Sequence, residues 1–203
     1  MNIILLSGGS GKRLWPLSND VRSKQFIKLF KNNDEYESMV QRVYRQITTV
    51  DAEAKITIAT NKLQASAIKN QLGEKVSICV EPCHRDTFPA IALAVAWLYY
   101  ELGVAKNEVV VVCPVDPYVD NTYYEAFKAL QELAEQCNAN LTLMGVEPTC
   151  PSEKYGYIIP ESGENVSRVK EFKEKPDVET VKKYLAQNAL WNAGVFAFKL
   201  GYL

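Results

Sequence analysis

Short apolar runs at residues 2–6, 55–59, 76–80, 108–113 and 140–146 alternate with stretches long enough for amphipathic helices, and this alternation constrains the fold more than any other feature. Apolar runs of that length read as strands, and helical periodicity is present at residues 36–48, 62–72, 87–102 and 121–137. Asp120 and Asn121 are suited to cap the last of these helices. Strands separated by helices pair most readily in parallel. The pattern therefore predicts an α/β fold, Rossmann-like, with a mostly parallel but mixed central sheet flanked by helices. After Pro148 the texture changes to strands at 155–160, 168–173 and 195–199 and a helix at 177–188. No repeat or low-complexity segment interrupts the chain, so a single domain over 1–203 is expected, with halves at 1–147 and 148–203.

Lys and Arg number 23 against 24 Asp and Glu, a net charge of −1, which gives no global attraction for nucleic acid or an anionic membrane. Any anion site must be local. The apolar runs fall short of a membrane span, and the first lacks the basic flank and length of a signal peptide. A cytoplasmic location is expected. The five cysteines include no Cys-x-x-Cys pair, and with His84 as the only histidine they suggest reduced thiols rather than a structural metal cluster.

The local anion site is expected at Ser7-Gly8-Gly9-Ser10-Gly11-Lys12-Arg13-Leu14, directly after the first strand. Open α/β sheets bind ligands at the carboxyl ends of their strands. Glycines let backbone amides approach phosphate oxygens, while Lys12 and Arg13 bring positive charge. Six basic residues and one acid occupy the first 31 positions. Leu6 and Arg13 exclude a Walker A loop, and Leu14 excludes a dinucleotide GxGxxG.

The string from Gly8 through Trp15-Pro16-Leu17-Ser18, followed by Ser23-Lys24-Gln25-Phe26, resembles the signature of sugar-1-phosphate nucleotidyltransferases and looks most like that of mannose-1-phosphate guanylyltransferases. Lys12 stands where that family usually has Thr, and Ser23 where it has Pro. Glu81-Pro82-Cys83-His84-Arg85-Asp86-Thr87-Phe88-Pro89-Ala90-Ile91 resembles the family's base-reading segment, with Asp86 in place of the usual Asn. A carboxylate at Glu81 can accept from both guanine N1–H and its 2-amino group, a donor pair that adenine, uracil and thymine lack. Asp116, just past the fourth core strand, resembles the family's metal ligand, with Pro117 where His is common. Tyr155-Gly156-Tyr157-Ile158, Phe172-Lys173-Glu174-Lys175-Pro176-Asp177 and Leu190-Trp191-Asn192-Ala193-Gly194 resemble the acceptor segments.

What the resemblance implies is a nucleotidyltransferase (GT-A-like) fold with a nucleotide-binding half at 1–147 and a sugar-phosphate-binding half at 148–203. The implied reaction is GMP transfer from GTP to mannose 1-phosphate, giving GDP-mannose and pyrophosphate. Gly8, Gly9, Ser10, Gly11, Lys12, Glu81, Arg85, Asp86 and Thr87 would bind nucleotide, Asp116 would hold Mg²⁺, and Arg13, Lys24 and Lys175 would act on the phosphates. Tyr155, Gly156, Glu174, Lys175 and Asn192 would take the sugar phosphate. The attacking phosphate is already anionic, so no general base is required, in keeping with a chain that has a single histidine. The family's chain normally continues into further sheet, a second acidic metal ligand and a C-terminal domain, so a truncated enzyme of impaired turnover is expected. A homodimer, another nucleotide or hexose phosphate, and a non-catalytic nucleotide-sugar-binding relative remain open.

Overall fold

The computed structural model describes residues 1–9, 15–19, 23–83, 85–137 and 139–203. In chain order these form β1 (Asn2–Leu6), β2 (Lys28–Asn32), β3 (Glu35–Ser38), α1 (Met39–Val50), β4 (Lys55–Asn61), α2 (Lys62–Leu72), β5 (Ser77–Glu81) and α3 (Thr87–Tyr100). There follow β6 (Val109–Pro114), α4 (Asn121–Gln136), β7 (Thr142–Val146), β8 (Tyr157–Pro160), β9 (Val169–Lys173), α5 (Val178–Leu185) and β10 (Leu190–Lys199). The chain divides into two units: Met1–Thr142 with Phe196–Leu203, and Leu143–Val195.

In the first unit the strands run β5-β4-β1-β6 in parallel, and the end of β10 adds antiparallel to β6 through Phe196↔Val112 and Phe198↔Val110. The sheet is mixed and mostly parallel, as its sequence pattern predicts. Parallel strands covered on both faces must be apolar throughout. Ile3, Ile4 and Leu5 of β1 and Val110 to Cys113 of β6 are accordingly fully buried. Alternate residues face opposite sides. Ile4, Val110 and Val112 pack under α3 with Ile91, Ala94, Val95 and Leu98. Cys113 faces the other side, toward Tyr123 and Tyr124 of α4, and burial pushes all three of these groups upward in pKa.

The helix expected at residues 36–48 begins later than its periodicity suggests. Glu35–Ser38 instead pairs with Lys28–Asn32 as a hairpin, whose two-residue connection holds Asn33 at φ 54°, a conformation Asn tolerates better than most residues. Ser38 then starts α1 with a reciprocal cap: its Oγ accepts from the Gln41 N–H at 3.3 Å, and the Gln41 Oε1 accepts from its N–H at 3.0 Å. The charged, four-residue strand lacks the apolar alternation that would mark it.

The second unit is built on β8, paired antiparallel with β9 and with the start of β10, while β7 also pairs β10. Its core is Tyr157, Ile159, Val181, Tyr184 and Ala189. The Tyr157 hydroxyl donates to the Ser152 carbonyl at 3.0 Å and accepts from the Trp191 indole N–H at 3.0 Å. This buried phenol therefore ties three chain segments together.

Candidate active site

The loop after β1 is fixed by extension of the sheet: the Ser7 N–H donates to the Ala59 carbonyl at 2.8 Å, and the Val115 N–H to the Leu6 carbonyl at 3.2 Å. Ser7 is buried, Gly8 half-buried and Gly9 exposed. Ser10, Gly11, Lys12 and Arg13 lie outside the described residues. Where the chain is again described, a cis Trp15–Pro16 bond precedes buried Ser18, and Ser23 leads into a 3₁₀ turn at Lys24–Phe26. That turn buries Gln25 and Phe26 and turns Lys24 outward, where its Nζ lies 2.7 Å from the Asp116 Oδ2. The predicted phosphate-handling lysine and the predicted metal carboxylate thus meet, although they lie 92 positions apart in the sequence. With the two side chains 34% and 48% exposed, the pair is separable by a competing ligand at little cost.

The segment that follows Asp116 is held by side chains from β2 and α1. The Arg42 Nη2 donates to the Val119 carbonyl at 2.5 Å, and the guanidinium carbon lies 4.3 Å from the centre of the Tyr118 ring, which stacks on Phe30. The Gln46 amide donates to the same carbonyl at 3.0 Å. Among the described residues no group of three or more His, Cys, Asp or Glu side chains converges. Asp116 could offer a cation one carboxylate here, and Mg²⁺ is commonly held by one or two carboxylates together with phosphate oxygens and water.

Sequence reasoning missed the residues behind the glycine loop. The Gln25 Nε2 donates to the Gly9 carbonyl at 3.1 Å and to the Gln64 Oε1 at 3.1 Å, with the Ser7 carbonyl at 3.4 Å. The Gln64 Nε2 donates to the Gly9 carbonyl at 3.2 Å and the Ser23 Oγ at 2.8 Å. The Thr60 hydroxyl, with one proton, reaches the Ser7 carbonyl and the Gln64 Oε1, each at 3.1 Å. The available signal was Gln64 one turn before Ile68 on the buried face of α2, a polar residue where packing alone asks for an apolar one.

Glu81 ends β5, buried, in register with Asn61 of β4. Burial, with the Glu81 charge as a smaller cause, pushes the Cys79 thiol up to about 11. Arg85 and Thr87 are exposed. The cap of α3 is Asp86, whose Oδ1 accepts from the Thr87 N–H at 3.2 Å. Its backbone sits at φ 72° and ψ −170°, a region that glycine alone adopts freely, so strain is held at the segment expected to read the base.

In the second unit the three predicted acceptor segments converge. A Cβ on Gly156 would stand 2.6 Å from the Glu174 Oε2 and 3.5 Å from the Asn192 Cβ. The Asn192 N–H donates to the Gly156 carbonyl at 2.8 Å, and its side-chain oxygen accepts from the Gly194 N–H at 3.0 Å. The Lys175 Nζ lies 3.1 Å from the Glu174 Oε1, with both side chains more than half exposed, and Lys175 holds φ 43°. Tyr155 packs against Trp191, ring centres 4.6 Å apart. A hydroxyl-accepting carboxylate beside an exposed ammonium is an arrangement suited to a phosphorylated polyol.

The chain is similar to known proteins over nearly its whole length. The chain is 36% identical over 204 residues to the xanthan biosynthesis protein XanB of Xanthomonas campestris pv. campestris (strain B100), covering 97% of this chain and 41% of the relative. It is 34% identical to the putative mannose-1-phosphate guanylyltransferase of Vibrio cholerae serotype O1, over 97% of this chain and 42% of that protein. It therefore spans less than half the length of these curated relatives. The crystal structure described as mannose-1-phosphate geranyltransferase from Thermus thermophilus superposes with a TM-score of 0.84 at 29% identity, covering 99% of this chain and 57% of that one. No helix among the described residues is long and apolar enough to cross a membrane. The nucleotidyl transferase family model matches residues 2–203, and the chain belongs to that family.

Proposed function

We propose that this chain carries the substrate-binding residues of a guanylyltransferase that moves GMP from GTP to mannose 1-phosphate, releasing GDP-mannose and pyrophosphate. The observation that carries this reading is the 2.7 Å approach of Lys24 to Asp116 beside the glycine loop. It pairs a cation suited to phosphate oxygens with a carboxylate suited to hold Mg²⁺ there. Gly8, Gly9, Ser10, Gly11, Lys12, Arg85, Asp86 and Thr87 serve the nucleotide, and Glu81 reads guanine. Tyr155, Gly156, Glu174 and Asn192 serve the sugar and Lys175 its phosphate. The relatives' names support GTP and mannose 1-phosphate as substrates.

A phosphate oxygen of mannose 1-phosphate attacks the α-phosphorus of GTP, and pyrophosphate leaves with the electron pair of the broken P–O bond. The nucleophile is already charged, so the protein's task is to align two anions that repel and to offset developing charge. Arg13 and Lys24 do so at the triphosphate and Lys175 at the sugar phosphate. Asp116 would hold Mg²⁺, which would supply charge neutralisation at the nucleotide phosphates. We read the protein as cytoplasmic.

The test is pyrophosphate release with GTP, Mg²⁺ and mannose 1-phosphate, beside ATP, CTP and UTP and beside Asp116→Asn. Release that needs GTP and falls at least about a hundredfold in the variant supports the reading. Equal rates with another nucleotide would sink the assignment of guanine, and full activity in Asp116→Asn would sink the metal site.

A further inference from the structure

We propose that Gln64, on a helix that carries none of the sequence-predicted site residues, is a positioning residue for the nucleotide's phosphates. The inference rests on the glycine loop being the phosphate site, as in the functional reading above. With Gln25 and Thr60 it forms a buried clasp on the loop's carbonyl oxygens. The Gly9 carbonyl accepts from both amide groups, using both of its lone pairs, and the Ser7 carbonyl faces the Thr60 hydroxyl and the Gln25 amide. In a trans peptide the carbonyl and the following N–H point in opposite directions. Drawing the Ser7 carbonyl inward therefore turns the Gly8 N–H away from the clasp, toward the side on which an anion must bind. The Gln64 Nε2 bond to the Ser23 Oγ fixes the far end of the same loop, one residue before Lys24.

This arrangement costs stability. Gln25 and Gln64 are each 1% exposed, and the Gln25 Oε1 and Ser7 Oγ are buried with no hydrogen-bond partner among the described residues. An apolar residue at position 64, stacked on Ile68, would fill the helix–sheet contact without those demands. A buried amide network retained at the ligand-binding end of a strand is the pattern expected where loop geometry outranks packing. Glutamine is suited to the task because its amide offers two donors and an acceptor at the end of a long, uncharged arm.

The experiment compares wild type with Gln64→Met, which keeps the shape, and Gln64→Glu, which keeps an acceptor oxygen, since both abolish the donors. Binding of inorganic tripolyphosphate with Mg²⁺ is measured by calorimetry, alongside KM for GTP and for mannose 1-phosphate and the melting temperature. Both variants should weaken tripolyphosphate binding and raise KM for GTP by about tenfold or more, leaving KM for mannose 1-phosphate within about twofold. Unchanged tripolyphosphate affinity in a folded variant overturns the proposal, as does an equal loss for both substrates, which general damage would give. If neither variant folds, Thr60→Val removes a single hydroxyl donor; about threefold weaker tripolyphosphate binding supports the clasp, and no change overturns it. Wild type that binds tripolyphosphate but neither GTP nor GDP-mannose defeats the guanylyltransferase reading while the tripolyphosphate comparison still decides the role of Gln64. Wild type that does not bind tripolyphosphate defeats the proposal itself.

Discussion

Gly156→Ala isolates the acceptor cluster with a single methyl group. The position is buried between three segments, and the added carbon would lie 2.6 Å from the Glu174 Oε2 and 3.1 Å from the Phe172 Cζ. Neither the backbone nor the fold should object: Gly156 is not among the glycines with positive φ, and Glu174 is an exposed, flexible side chain. To reach ordinary contact distance the carboxylate must withdraw by about 0.8 Å. That is enough to lose a hydrogen bond to a bound hydroxyl. Such a charge-assisted bond is worth about 1.5–3 kcal/mol, or roughly 10- to 100-fold in kcat/KM for the sugar phosphate. The assay is pyrophosphate release with mannose 1-phosphate varied at saturating GTP, then GTP varied at saturating sugar phosphate, with thermal unfolding in parallel. KM for the sugar phosphate should rise while KM for GTP and the melting temperature hold. Glu174→Gln should produce a similar loss, and the double variant should be little worse than either alone, because both act on one contact. A Gly156→Ala protein with normal sugar-phosphate kinetics, or losses that add fully, would refute the reasoning.

Arg42→Met should free the segment after Asp116 by removing the Val119 hydrogen bond and the stacking on Tyr118, costing about 1–3 kcal/mol in urea unfolding and raising the Mg²⁺ needed for half-maximal activity; an unchanged Mg²⁺ requirement would separate Arg42 from the site. Thiol labelling of the native protein at about pH 8 should modify exposed Cys83 and Cys150 quickly and reach Cys79, its pKa pushed up to about 11, and buried Cys113 only on unfolding. Rapid labelling of Cys79 would contradict its burial. The Asp177 carboxyl caps α5 and is held below its usual range first by the Thr180 N–H at 2.8 Å and then by the Thr180 hydroxyl. Its stabilising effect is therefore present above the unfolded carboxyl value of about 3.9 and is lost as pH falls through the lower folded value. Asp177→Ala should melt below wild type at neutral pH, and the gap should close on acidification; a gap that persists at about pH 2 would rule out the charged cap.

Much of this protein was legible in order of sequence because the signals are local. A buried parallel strand must be apolar on both faces, so β1 and β6 announce themselves as uninterrupted runs, and amphipathic periodicity marks α2, α4 and α5 near their observed places. The glycine loop, the strand-end carboxylates and the acceptor segments are strings whose chemistry can be named before any fold is known. Periodicity reports which face a residue occupies but not which residue stands opposite, because that depends on strand register and helix docking. The hairpin β2–β3 is too short and charged to carry a period, and the cap of α3 depends on the positive φ of Asp86, which brings its carboxylate to the Thr87 N–H. The meeting of Lys24 with Asp116, the grip of Arg42 on Val119 and the clasp of Gln64 on Gly9 each join residues far apart in the chain. The kinds of chemistry available at this site were thus set by the sequence alone. The partners were decided only when parallel pairing of β4, β1 and β6 brought three strand ends to one edge of the sheet, a geometry no single segment contains.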